Sequence, residues 1–196
     1  AGTITSYDLN FRSKLWPSEK AIAVTKEIAP LVQVLIGNEE DLQKGLGFQG
    51  PEVAASAKAA SSKLDTSVFL GMMEQVVKRF PKTKVVATTL REVHNTNQHS
   101  WSAVAWINGQ SVQAPTAELR VLDRVGGGDG FAAGFIYGLM SGKQPQEAIN
   151  LGWAVGSAIG GIIAKYNYEW LFWVDGFTNI VAAGLMWLFV KPVNYK

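Results

Sequence analysis

The sequence predicts an α/β domain with a mainly parallel sheet, followed by an apolar helical hairpin. Three observations carry this. Short apolar runs of strand length alternate with stretches of helical period up to about residue 147. A glycine triplet joins one strand run to a helix in "ELRVLDRVGGGDGFAAGFIYGLM". Beyond residue 147 charge almost disappears: of 18 Lys and Arg only Lys165, Lys191 and Lys196 lie there, and of 16 Asp and Glu only Glu169 and Asp175. That break divides the chain into residues 1–147 and 148–196.

In order along the chain, "TITSYDL" is expected to be a buried strand. "SEKAIAVTKEIAPLV" has the period of an amphipathic helix, with Ser18 as its N-cap. "VQVLIGN" is a second strand ending in a Gly-Asn turn signal, and "EEDLQKGLG" a short helix closed by glycine. "PEVAASAKAASSKLDTSVFLGMMEQVVKRF" starts irregularly, then forms a helix that ends at Phe80-Pro81. "TKVVATTL" is a third strand. "SWSAVAWINGQSVQA" alternates with period two around Asn-Gly, a hairpin signal. "AELRVLD" is a further strand and "GDGFAAGFIYGLMSG" a helix. "AINLGWAVGSAIGGIIA" and "LFWVDGFTNIVAAGLMWLFV" form the apolar pair, broken at "KYNYE".

Composition excludes several function classes. A net charge of +2 leaves no electrostatic footprint for nucleic acid. With no Cys there is neither a disulfide framework nor a thiolate metal site. His94 and His99 fall in the polar "EVHNTNQHS", where solvated loop residues are expected rather than metal ligands. "AGTITSYDLNF" lacks the basic and apolar stretches of a secretory signal; residues 1–147 are expected in the cytoplasm and the full chain at a membrane.

Gly126, Gly127 and Gly128 bring a strand to a helix N-terminus. Glycines let the backbone approach a ligand, and the first helical amides have no internal partners. Such a turn cradles phosphate oxygens. Asp129 follows directly, and a carboxylate beside an anion hole is in place to take a proton from an attacking hydroxyl. The alternative is a glycine-rich turn capped by an aspartate.

"DRVGGGDGFAAG" resembles the carboxyl-terminal signature of the ribokinase-like (PfkB) carbohydrate kinases. "YDLNFR" is similar to that family's Asp-x-Asn-x-Arg strand end, and "GNEEDL" to its Asn-x-x-Glu element, with Asp41 where Glu is usual. Together with "TTLREVH", these elements look most like 2-keto-3-deoxygluconate kinases over residues 1 to about 155. The resemblance implies a partial ribokinase-like domain that transfers the γ-phosphoryl of ATP to a small acid sugar with Mg²⁺. It implies Asp129 as catalytic base and Gly126, Gly127 and Gly128 as anion hole. Arg12, Asp8 and Asn10 would meet the substrate, and Thr89 and Leu90 the nucleotide. Asn38 and Asp41 would organise Mg²⁺ through water, and Asp123 would lie near a monovalent cation. An intact member also has an amino-terminal half, so the chain is expected to be inactive alone or to complete a split kinase with a separate amino-terminal fragment.

The tail carries a second resemblance. "GWAVGSAIGG" is similar to the Gly-x-x-x-Gly-Pro-x-x-Gly-Gly motif on the fifth helix of major facilitator superfamily transporters, with Ser157 replacing the proline. "NYEWLFWVDGFTNIVAAG" is similar to the start of their sixth helix. Residues 171–190 are long enough for a hydrocarbon core of about 30 Å, and Trp170, Trp173 and Trp187 sit where interfacial anchors would. Residues 148–196 are therefore expected to pair as helices through Gly152, Gly156 and Gly160 and to associate with membrane. That makes the chain a chimera, and a non-catalytic membrane-associated protein is the alternative function.

Overall fold

In "VVATTL" and "SAVAWI" successive side chains point to opposite faces, and each strand offers apolar residues to both. Such a sheet needs a helical layer on each side. The computed structural model, which describes residues 2–38, 40–49, 66–96, 98–120 and 126–166, has that three-layer arrangement. Strands β1 (Ser6–Asp8), β2 (Val34–Asn38), β3 (Val85–Asn95), β4 (Gln98–Ile107) and β5 (Gln110–Gln113) lie side by side in that order. β6 (Ala117–Arg120) follows β5 along the same strand, β4. β1, β2 and β3 are parallel, whereas β4 is antiparallel to β3, β5 and β6. The expected parallel sheet is thus the part that carries the strand ends of the site, extended by antiparallel strands.

Alternation splits the core. Leu35, Val86, Leu90 and Val104 face Phe69, Met72, Met73 and Val76 of helix α2 (Thr66–Arg79), with Ile28 from the end of α1 (Ser18–Ile28). Ile36, Ala87, Ala103 and Ala105 face Phe131 and Phe135 of α3 (Gly127–Met140) and Ala148 and Ile149 of α4 (Pro145–Tyr166). The Asn-Gly hairpin forms as expected: Asn108 and Gly109 take φ of 50° and 94° between β4 and β5, which suits the twist of the flanking strands. Gly142, at φ 69°, closes α3 in the left-handed conformation.

Several elements differ from expectation. β1 is short, and Ser6 and Asp8 are exposed rather than buried, because β1 is an end strand in the described sheet. Ser18 lies inside α1, whose N-cap is Pro17, and its hydroxyl donates to the Lys44 carbonyl at 2.6 Å instead. In "EVHNTNQHS" the residues up to Asn95 and from Gln98 onward are strand rather than loop, since the β3–β4 ladder runs on to Asn95 and Gln98. His99 is consequently buried, and His94 lies 2.6 Å from the Ser100 hydroxyl.

The charge break at 147/148 falls within α4, which runs through it. Its glycines serve α3. A Cβ at Gly152 would lie 2.8 Å from Phe135 Cβ and 2.9 Å from the Phe131 carbonyl; one at Gly156 would lie 2.7 Å from the Gly127 carbonyl. From the other side, a Cβ at Gly134 would meet the Leu151 carbonyl at 2.9 Å, and one at Gly138 the Ala148 Cα at 2.8 Å. The small-residue face expected to pair two apolar helices instead packs, at Gly152 and Gly156, into the α/β core. Among the described residues no helix is long and apolar enough to cross a membrane. The second apolar helix, expected over 171–190, lies outside the described residues.

Gly152→Ala and Gly156→Ala should each destabilise the fold by about 1–3 kcal/mol through overpacking. Gly71→Ala, where a Cβ meets nothing within 4 Å, should be neutral or stabilising. Urea denaturation of the three variants checks this.

Candidate active site

The parallel strands β1 and β2 end beside the N-terminus of α3, the position where open α/β sheets place ligands. A cavity of about 440 Å³ opens there. β1 and the residues after it supply Asp8, Asn10 and Arg12; β2 and its turn supply Gly37, Asn38 and Asp41. β3 supplies Thr89, and the start of α3 supplies Gly126, Gly128 and Asp129.

Local turns aim these groups. Asn10 has φ 40°, a left-handed conformation that Asn tolerates, and its amide donates to Asp8 Oδ1 at 3.1 Å. The turn buries Leu9 and Phe11 in the core while Asn10 and Arg12 line the cavity. Gly126 caps α3 at φ 78°, and its carbonyl accepts the Gly130 amide at 2.7 Å. The amides of Gly127, Gly128 and Asp129 precede that first helical bond and have no partner within the helix. A Cβ at Gly127 would meet the Gly156 carbonyl at 3.5 Å, whereas one at Gly128 meets nothing within 4 Å. The turn is thus backed by α4 on one side and open on the other. No side chain caps α3, so Asp129 is not the capping aspartate of the alternative reading; it lines the cavity from the first turn.

Asp41 is buried, and both of its oxygens bind main chain. Oδ1 accepts the Phe11 amide at 3.0 Å and Oδ2 the Asn38 amide at 2.8 Å. Asn38 Oδ1 in turn accepts the Glu40 and Asp41 amides at 2.8 and 3.2 Å. Burial pushes the Asp41 pKa up to about 6, the two amide bonds oppose that, and nearby Asp8 adds to it. The Asp8 pKa is also raised, first by lost hydration and then by the charge of Asp129, while Arg12 opposes both shifts. Three carboxylates and one guanidinium therefore share the cavity.

Most of the residues proposed from sequence come together here. Leu90 does not: strand alternation turns it to the α2 side, fully buried, away from Thr89 and the cavity. Gly127 belongs to the turn, though the cavity wall is made by Gly126 and Gly128. Asp123 lies outside the described residues. Sequence reasoning missed Gly37, Ile36 and Phe131, which also line the cavity. Gly37 read only as a turn signal. A Cβ there would stand 2.9 Å from Asp41 Cβ, so its glycine makes room for the buried acid.

Comparison with known proteins bears on the fold and the ancestry. Residues 98–160 match the model of the pfkB family carbohydrate kinases. A 2-dehydro-3-deoxygluconokinase from Thermotoga maritima has a structure matching with TM-score 0.71 and 32% identity, over 81% of this chain and 45% of that one. A 2-dehydro-3-deoxygalactonokinase of Haloferax volcanii is 27% identical over 152 residues, 78% of this chain and 40% of that protein. A protein of Escherichia coli described as a ribokinase, in complex with ATP and Mg²⁺, matches with TM-score 0.54 and 15% identity over 81% of this chain and 42% of that one. The chain thus spans less than half the length of each. It has the ribokinase-like fold and is homologous to the pfkB carbohydrate kinases. Its similarity extends to a 2-dehydro-3-deoxygluconokinase and a 2-dehydro-3-deoxygalactonokinase.

The raised Asp41 pKa has a stability consequence. In the unfolded chain this acid titrates near 3.8, and in the fold near 6. The fold binds the proton more tightly, so the stability it contributes is full below about pH 4 and lost as pH rises to about 6. Asp41→Asn should remove that slope between pH 4 and 6 in urea denaturation, leaving the rest of the profile in place.

Proposed function

We propose that the chain supplies the phosphoryl-transfer side of a sugar kinase acting on a small acid sugar of the 2-keto-3-deoxygluconate type. The observation that carries this is the placement of Asp129 beside a glycine turn with open amides, in one cavity with Arg12. The donor set fits a nucleotide phosphate with its ion. Open amides at a helix N-terminus suit phosphate oxygens, and Asp8 and Asp129 against the one guanidinium of Arg12 leave negative charge that suits an accompanying divalent cation.

When bound, ATP with Mg²⁺ supplies the transferable phosphoryl group. Asp129 takes the proton of the sugar hydroxyl as that oxygen bonds to phosphorus. Gly127 and Gly128 donate their amides to the charge gathering on the transferred group. Arg12 offers a planar fork to the sugar carboxylate or a phosphate. Asp8 and Asn10 shape the sugar side, Thr89 adds a hydroxyl at the nucleotide side, and Asn38 faces the ion through water. A monovalent cation near Asp123 belongs to the same reading.

Positioning supplies much of the rate in phosphoryl transfer. The 196-residue polypeptide, spanning less than half of its relatives, is therefore proposed to turn over only with an amino-terminal kinase segment present. Assayed alone with ATP and 2-keto-3-deoxygluconate, it should show no turnover at ordinary kinase rates; such turnover would overturn this part of the reading. Co-expression with the amino-terminal segment of a related kinase should restore phosphorylation. In the restored enzyme Asp129→Asn keeps the shape but cannot accept the proton, so kcat should fall by about 10²–10⁴-fold. An unchanged kcat would remove Asp129 from the role of base.

A further inference from the structure

We infer that Asp41 is a positioning residue: it ties the Phe11 amide to the Asn38 amide and so holds the Arg12 segment against the end of β2. The inference deepens the kinase reading and rests on it only for the role of Arg12. A carboxylate given over to an ion would leave its oxygens free of main-chain bonds. Here Oδ1 and Oδ2 each accept a main-chain amide, from segments 27 residues apart in the chain, and the residue is 2% exposed. The inward pose is built in. Gly37 leaves the space that any side chain would take from Asp41 Oδ2, at 3.1 Å from its Cβ position. Asn38 Oδ1 holds the Asp41 amide, which fixes where the carboxylate starts.

The bond matters because, beside the burial of Leu9 and Phe11, few hydrogen bonds among the described residues tie the Arg12 segment to β2. Beyond the three-residue ladder of β1, the Leu9 amide donates to the Ile36 carbonyl at 2.8 Å, and next along the chain comes the Phe11–Asp41 bond. Asn10 between them is exposed and left-handed. Arg12 then follows Phe11 directly, and its Nη1 donates back to the Phe11 carbonyl at 3.0 Å. Moving the Phe11 amide therefore moves the guanidinium.

Hydrogen exchange on the full chain tests this. In the wild type the Phe11 and Asn38 amides should be protected despite an exposed neighbour at Asn10. In Asp41→Asn, exchange at these two amides should quicken by about tenfold or more, as expected for loss of bonds to a charged acceptor, while amides of β3 and β4 keep their protection. Gly37→Ala, which crowds the same carboxylate, should quicken the same two amides and carries the test if Asp41→Asn does not fold. Exchange of both wild-type amides at unprotected rates, or no change in either variant, would overturn the inference. Binding of adenylyl imidodiphosphate with Mg²⁺ separates positioning from general loosening. If Asp41 acts through Arg12, the losses from Asp41→Asn and Arg12→Lys should be non-additive in the double variant; additive losses would overturn the link to Arg12. Protected wild-type amides with no nucleotide binding, even with the amino-terminal segment of a related kinase present, would uphold the tie and defeat the kinase reading instead.

Discussion

The close approach of α3 and α4 is the constraint on which the site depends. Where glycines face glycines and carbonyls, helix backbones meet without intervening side chains, and the separation has little slack. Gly156 sits against the Gly127 carbonyl, so the turn that offers amides to a ligand is braced by a helix whose first half also packs on β4 and β5. Trp153 Nε1 reaches the Trp101 carbonyl at 3.4 Å, and Gln146 Nε2 the Gln113 carbonyl at 2.8 Å, which anchor α4 to the sheet. Phe131 and Phe135 stack at 5.6 Å beneath the turn. An anion hole gains from being fixed before the ligand arrives, because no reorganisation is then needed as charge develops.

The carboxylates around that turn divide by environment. Asp41 is withdrawn into main-chain bonds and held toward its neutral form by burial. Asp8 is bound to the Asn10 amide and feels the charge of Asp129. Asp129 stands in the first turn of α3, where a helix N-terminus favours negative charge. Chemically identical groups around one cavity are in this way given different surroundings, one tied into main chain and one on the first turn of a helix.

Legibility of these features in the sequence followed their range along the chain. The glycine turn with Asp129, the Asn-Gly hairpin and the "YDLNFR" turn are made by consecutive residues, so the chemistry of the turn is written where it acts. Thr89 and Leu90 look equivalent on the page, but a period of two sends one to the cavity and the other to the opposite core. The pose of Asp41 depends on Gly37 and on an amide 30 residues earlier, a relation that no local pattern displays. Gly152 and Gly156 misled for a different reason. A small-residue helix face allows close packing in water and in lipid alike, and only the partner, here α3, tells them apart. His99 was misplaced because polar side chains at a hairpin end look like loop until the ladder is seen to continue.

The two walls of the cavity differ in how firmly they are held. Asp129 and the glycines stand on a helix packed against another helix and the sheet. Asp8, Asn10 and Arg12 stand at the end of a three-residue strand paired on one side, with Ile4 and Leu15 exposed nearby. Free energies of local opening are lowest where few buried contacts and few ladder bonds must break. The Arg12 wall is then the part of the site that opens first, while the glycine turn stays formed. If the chain acts as proposed, its grip on phosphate is a property of the folded state at large, and the contacts to the second substrate fall to a segment that samples open forms more often.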